Sequence, residues 1–181
     1  MQTGIDFLRD QVDDAIALHK ALIESMSTHE SDADDQRYRD LCIRHEPHMR
    51  QHQTMLERLR ASLGTQSSTA PADVIGAMKK AAGTALGIAR SFADTPQSDY
   101  MRLVGDLALV RQLEVTFRTF RDAGRQLGIT QLAKLGEVAE RHHDDYSAEA
   151  KRLLTQMFVE RAKDAASIVK PMTESRADSL G

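Results

Sequence analysis

The residues able to do chemistry in this sequence are mostly histidines. There are 7 in 181 residues, beside 1 Cys, 0 Trp, 3 Tyr and 5 Phe. Imidazole can ligate transition metals, move protons and switch charge near neutral pH. Spacing narrows these roles. His45, His48 and His52 follow one another at i+3 and i+4, the separations at which side chains on a helix are neighbours. His142 and His143 are adjacent, and His19 stands between the apolar pairs Ala15, Ile16 and Leu22, Ile23. His29 falls in Ser27–Asp35 (STHESDADD), a run of turn-forming residues, and reads as a surface residue.

The elements that must carry these rings are helices. Apolar residues recur at helical spacing between breakers at Ser27–Asp35, Gly64–Pro71 and Ala93–Ser98, and at Gly128. The pattern predicts helices over about 4–27, 36–63, 72–92, 97–126 and 130–157. Four are long and amphipathic. The third, VIGAMKKAAGTALGIA, is short and rich in Ala and Gly. Thr95 and Pro96 form a helix-start signal, and Pro47 lies inside the second helix. Long antiparallel helices with polar loops predict an all-α four-helix bundle with an extra short helix over residues 1–170. Residues 171–181, set off by Pro171, read as a flexible C-terminal tail.

Turning each residue about 100° from the last gives each helix an inward face. His19 lies in the middle of the stripe Leu8, Val12, Ala15, Leu22 and Met26. His45 and His52 lie at the centre of the second stripe, with His48 toward its edge. Glu114 falls among Leu103, Leu107, Val110 and Phe117, and His142 and His143 straddle the last stripe. Six histidines and one carboxylate therefore point toward one interior from four helices. Singly, each has an ordinary explanation: His19 as a hydrogen-bonded core ring, Glu114 as the partner of Arg111 or Arg121. Jointly they are costly to bury unless something organises them, and a bundle core is a common place for a metal site.

Composition excludes other classes. Aromatics at 4% argue against sandwiches, barrels and stacking-based nucleic-acid binders. With 24 Lys and Arg against 27 Asp and Glu, the net charge of −3 offers no excess for a phosphate backbone. A single cysteine, Cys42, precludes an internal disulfide and suggests a reducing, cytoplasmic setting. No signal peptide and no run of 18 apolar residues is visible, so no membrane association is expected. There is no P-loop, dinucleotide fingerprint or nucleophile triad.

The stretch HEPHMRQHQTMLERLRASLG, from His45 to Gly64, resembles the YciE/YciF-type ferritin-like bundle proteins, a family of bacterial stress-associated proteins. His45, His52, Leu56, Glu57, Leu63 and Gly64 fit the frame of that family. APADVIGAMKKA, DLALVRQLEVTFRTF and AGRQLG resemble its short helix, acidic helix and Leu-Gly stop. The resemblance covers about residues 5–157 and implies a ferritin-like antiparallel bundle, a homodimer and a carboxylate-rich di-iron site. The chain departs from that ligand set: His19 stands where the family has a Glu, and His142 and His143 where it is acidic.

Three readings follow. The first is a metal-binding bundle with ligands drawn from His19, His45, His48, His52, Glu114, His142 and His143. Its metal would be a di-iron pair bridged by Glu114, or a single zinc. Two ions need about eight donors and one zinc about four. The second is a non-catalytic interaction protein whose histidines form a polar core or pH switch, with Ile75, Met78 and Ile88 docking a partner. The third is a haemerythrin-like protein or metal-dependent oxidoreductase handling oxygen or peroxide. The haemerythrin spacing of a His with Glu four residues on is missing, since His52 follows His48 and Leu56 follows His52 at that distance.

Overall fold

A computed structural model describes residues 4–64 and 98–163. The apolar periodicity folds into four helices: α1 (Gly4–Asp32), α2 (Gln36–Ser62), α3 (Asp99–Leu127) and α4 (Thr130–Ala162). The expected helix over 72–92, the Thr95–Pro96 start signal and the tail at 171–181 lie outside the described residues. No described helix is long and apolar enough to cross a membrane.

Local signals set two of the boundaries. The Asp35 side chain accepts from the Arg37 N–H at 2.9 Å and caps α2. Gly128 ends α3 in the left-handed region, φ 68°, where a residue without a Cβ is favoured. α2 continues through Pro47. One boundary departs from expectation. The turn-rich run from Ser27 does not end α1, which continues to Asp32 before a three-residue connection to α2. His29 and Ser25 are tied to α3 there, and these tertiary contacts override local turn preference.

Side-chain pairs fix how the helices run. His29 and Ser25 of α1 meet Asp106 of α3, while His19 meets Phe117. Rising numbers on α1 thus face falling numbers on α3. The same holds for α2 and α4, where Arg37 meets Glu160, His45 meets Glu149 and His52 meets His142. α1 and α2 form one hairpin, α3 and α4 the other. Since α2 and α3 both oppose α1, they run parallel, and the chain leaves α2 at one end of the bundle and begins α3 at the other. The result is an all-α four-helix bundle with one crossover.

The core runs along this axis through Val12, Leu22, Met26, Leu41, Met49, Leu56, Leu103, Leu113, Leu135 and Ala150, all buried. α3 and α4 approach closely at Gly136, where an added Cβ would collide with the backbone of Phe117 and Arg121. The close approach helps hold Phe117 against the polar centre of the core.

Candidate metal centre

Three of the four inward-facing helix surfaces bring one imidazole each to a common level in the core. α1 contributes His19, α2 His52 and α4 His143, each 0% exposed. Their ring centroids lie 5.3–5.6 Å apart. One nitrogen from each falls within 4.8 Å of one from each of the others. α3 closes the fourth side with Phe117, whose ring centroid is 5.1 Å from His143, 5.8 Å from His19 and 6.1 Å from His52.

Hydrogen bonding leaves part of this cluster unsatisfied. His143 donates Nδ1–H to the Ala139 carbonyl at 2.7 Å, so its Nε2 carries a lone pair. The Nε2 of His52 lies 2.9 Å from the Nδ1 of His142. His143 Nε2, His52 Nδ1 and both nitrogens of His19 have no partner. These are four of the eight buried side-chain N and O atoms without a hydrogen bond among the described residues. An unsatisfied buried polar atom costs about 1–3 kcal/mol, so their concentration in one place is expensive.

Burial also sets the charge state. It holds His19 well below the ordinary imidazole range, with His143 adding to the effect. Burial, followed by the neighbouring rings, pushes His52 down to about 2. Burial pushes His143 down to about 4, against opposing contributions from the Ala139 bond and the Glu114 charge. All three rings are therefore neutral at pH 7, the form in which imidazole binds a metal.

The other predicted ligands sit differently. Glu114 is buried, but Ser147 donates to its Oε1 and Arg111 to its Oε2 at 2.5 Å. His45 is buried and its Nε2 lies 3.3 Å from Glu149, which also pairs with Arg44 at 3.0 Å. One helix turn repeats every 3.6 residues at 1.5 Å per residue, so His45 lies about 10 Å along α2 from His52. His142 is half-buried and His48 exposed, their centroids 4.2 Å apart. The seven predicted residues thus divide into an inner triad, a flanking pair (His48 and His142) and two groups, His45 and Glu114, held by other partners.

His29 is a correction. It is not a surface residue: its Nδ1 lies 3.1 Å from Asp106 Oδ2 and 2.5 Å from the Tyr38 hydroxyl. Tyr38 donates to the same carboxylate oxygen at 2.6 Å and Ser25 to the other at 2.5 Å. Burial, then the Asp106 charge, pushes the Tyr38 phenol far above its ordinary range, and the same two causes raise the Cys42 thiol. Cys42 is thus a buried, protonated thiol. Sequence reasoning passed over Asp106, although it lies three residues after Leu103 and four before Val110, on the inward face of α3.

Compared with family models, curated proteins and solved structures, the chain finds no match.

Proposed function

We propose that this protein binds one divalent transition-metal ion of the zinc class through His19, His52 and His143. The observation that carries this reading is the set of four unpartnered ring nitrogens gathered in one buried place. A tetrahedral ion with bonds of about 2.0–2.1 Å needs its nitrogens roughly 3.3 Å apart, so each ring would move inward by less than about 1 Å. Three neutral imidazoles suit a borderline ion better than a hard one, which prefers oxygen donors.

The surroundings support the same assignment. Metal-bound histidines usually donate their second N–H to an acceptor that fixes the ring. His143 does so to Ala139, and His52 does so to His142 when its proton sits on Nε2. Glu114, whose charge reaches His143, offsets part of the ion's charge from outside the ligand set. The single crossover is the topology of ferritin-like bundles, which build metal sites between facing helices. The donors favour a single ion over a carboxylate-bridged iron pair, because both oxygens of Glu114 are already engaged.

Titrating the chain, purified without a histidine tag, with Zn²⁺ in a calorimeter tests the proposal. One equivalent bound by the unaltered protein and none by His19→Ala is the expected result. Undiminished binding by His19→Ala sinks it. So does a chain that takes up no Zn²⁺, and its histidines are then a polar core.

A further inference from the structure

The inner triad is sealed, so an ion must cross the surface to reach it. Phe117 closes the α3 side. Across the seam between α2 and α4, however, a line of imidazoles leads inward. His48 of α2 is exposed. Its ring centroid lies 4.2 Å from that of His142 on α4, which is half-buried. His142 in turn stacks on buried His52, with centroids 5.0 Å apart and planes 21° apart, and its Nδ1 is 2.9 Å from His52 Nε2. Exposure falls at each step, and each ring touches the next.

We propose that His48 and His142 form an outer, two-imidazole station for a divalent transition-metal ion, and that the inner site is loaded through it. The inference rests on the inner triad being a metal site. Two imidazoles supply only half of the about four donors such an ion takes, so water completes the shell and the ion exchanges readily. His142 lies between His48 and His52 and can hand the ion from one to the other. Once the ion has passed, its Nδ1 returns to the hydrogen bond that orients His52. His45 does not belong to this path. Its ring is 6.5 Å from His48 and its Nε2 is engaged by Glu149.

A port and a ligand have different signatures. A port lowers the barrier in both directions, so its removal slows loading and release by the same factor and leaves affinity unchanged. A ligand holds the bound ion, so its removal weakens affinity. The probe is Co²⁺, whose visible absorption reports four-coordinate binding, mixed with the full chain in a stopped-flow instrument and withdrawn with EDTA.

His48→Ala is expected to slow both phases several-fold, with the final spectrum, stoichiometry and dissociation constant unchanged. Because His48 is exposed, its replacement leaves the core intact. His142→Ala should slow loading and also weaken binding by about 10–100-fold, since it removes the acceptor that orients His52. Unaltered rates in His48→Ala overturn the port, and so does a loss of affinity at an unaltered loading rate. If the unaltered chain develops no cobalt band, or His19→Ala retains it, the inner site and the port both fall. If His19→Ala loses the band while His48→Ala is kinetically silent, only the port falls.

Discussion

His143 donates its Nδ1 proton to the carbonyl of Ala139, one turn earlier on the same helix, at 2.7 Å. A carbonyl can only accept, so this one bond fixes the tautomer and leaves the buried Nε2 with a free lone pair, in a ring whose centroid is 5.4 Å from that of His19 and 5.3 Å from that of His52. A bound ion stabilises the folded state alone. At 100 times its dissociation constant, zinc should raise stability by about 2.7 kcal/mol. The check is thermal unfolding with and without Zn²⁺. His143→Ala will lower the melting temperature by opening a cavity, so the informative quantity is the zinc-induced increment, expected to vanish. An increment that survives shows the ion is held elsewhere.

The metal-free chain should lose stability on mild acidification. His19, His52 and His143 all have folded-state values below the ordinary 6.5. Below that pH the unfolded chain takes up protons that the folded chain refuses, and stability falls wherever the unfolded state binds more protons. These rings therefore carry no pH-dependent penalty above about pH 6.5. Their penalty grows as pH drops, until about 4 for His143 and about 2 for His52. Each contributes a slope approaching about 1.4 kcal/mol per pH unit. Urea midpoints between pH 7.5 and pH 5 should show the decline, and His52→Asn should make it shallower. An equal slope in the variant argues that His52 protonates freely in the folded state.

Glu114 separates a single ion from a bridged pair. Its carboxylate is held by Ser147 and Arg111 and acts on His143 through its charge. Glu114→Gln keeps the shape and removes that charge. Zinc affinity should fall modestly while one equivalent still binds, by calorimetry and by elemental analysis. A drop from two equivalents of metal to one or none instead assigns Glu114 as a bridging ligand.

The bundle was legible because four apolar stripes at helical spacing leave few other ways to bury them. The triad was only half legible. Periodicity reports which face a residue is on, and His19, His52 and His143 are all on inward faces. It does not report which residues of different helices share a level, since that depends on the crossover between α2 and α3. His52 comes opposite His142 and His143, whereas His45 comes opposite Glu149. Part of this was available from the helix rise alone, because residues seven apart stand about 10 Å apart along the axis and cannot bind one ion. His29 was misread for another reason. Its neighbours in STHESDADD are turn formers, yet it follows Met26 by three and Leu22 by seven, which continues the stripe of α1. Turn preference was given more weight than periodicity, and the contact with Asp106 reverses that order.

Asp106 should matter to stability and not to metal. It is 1% exposed and receives hydrogen bonds from Tyr38 and Ser25, with His29 Nδ1 3.1 Å away. These groups belong to α1, α2 and α3, and they join the helices well away from the triad, ten residues along α1 from His19. Asp106→Asn replaces a carboxylate with an amide that cannot accept from every donor on both of its ends. Hydrogen bonds to a charged group contribute about 1.5–3 kcal/mol, so a loss of that order is expected in chemical denaturation. Tyr38→Phe removes one donor and leaves the Ser25 and His29 contacts in place, so it should cost less, toward the lower end of that range at about 1.5 kcal/mol. Zinc stoichiometry and affinity should be unchanged in both. If Asp106→Asn abolishes zinc binding while the chain remains folded by circular dichroism, the two polar clusters are one functional unit. The separation of an inner triad from a structural carboxylate network is then wrong.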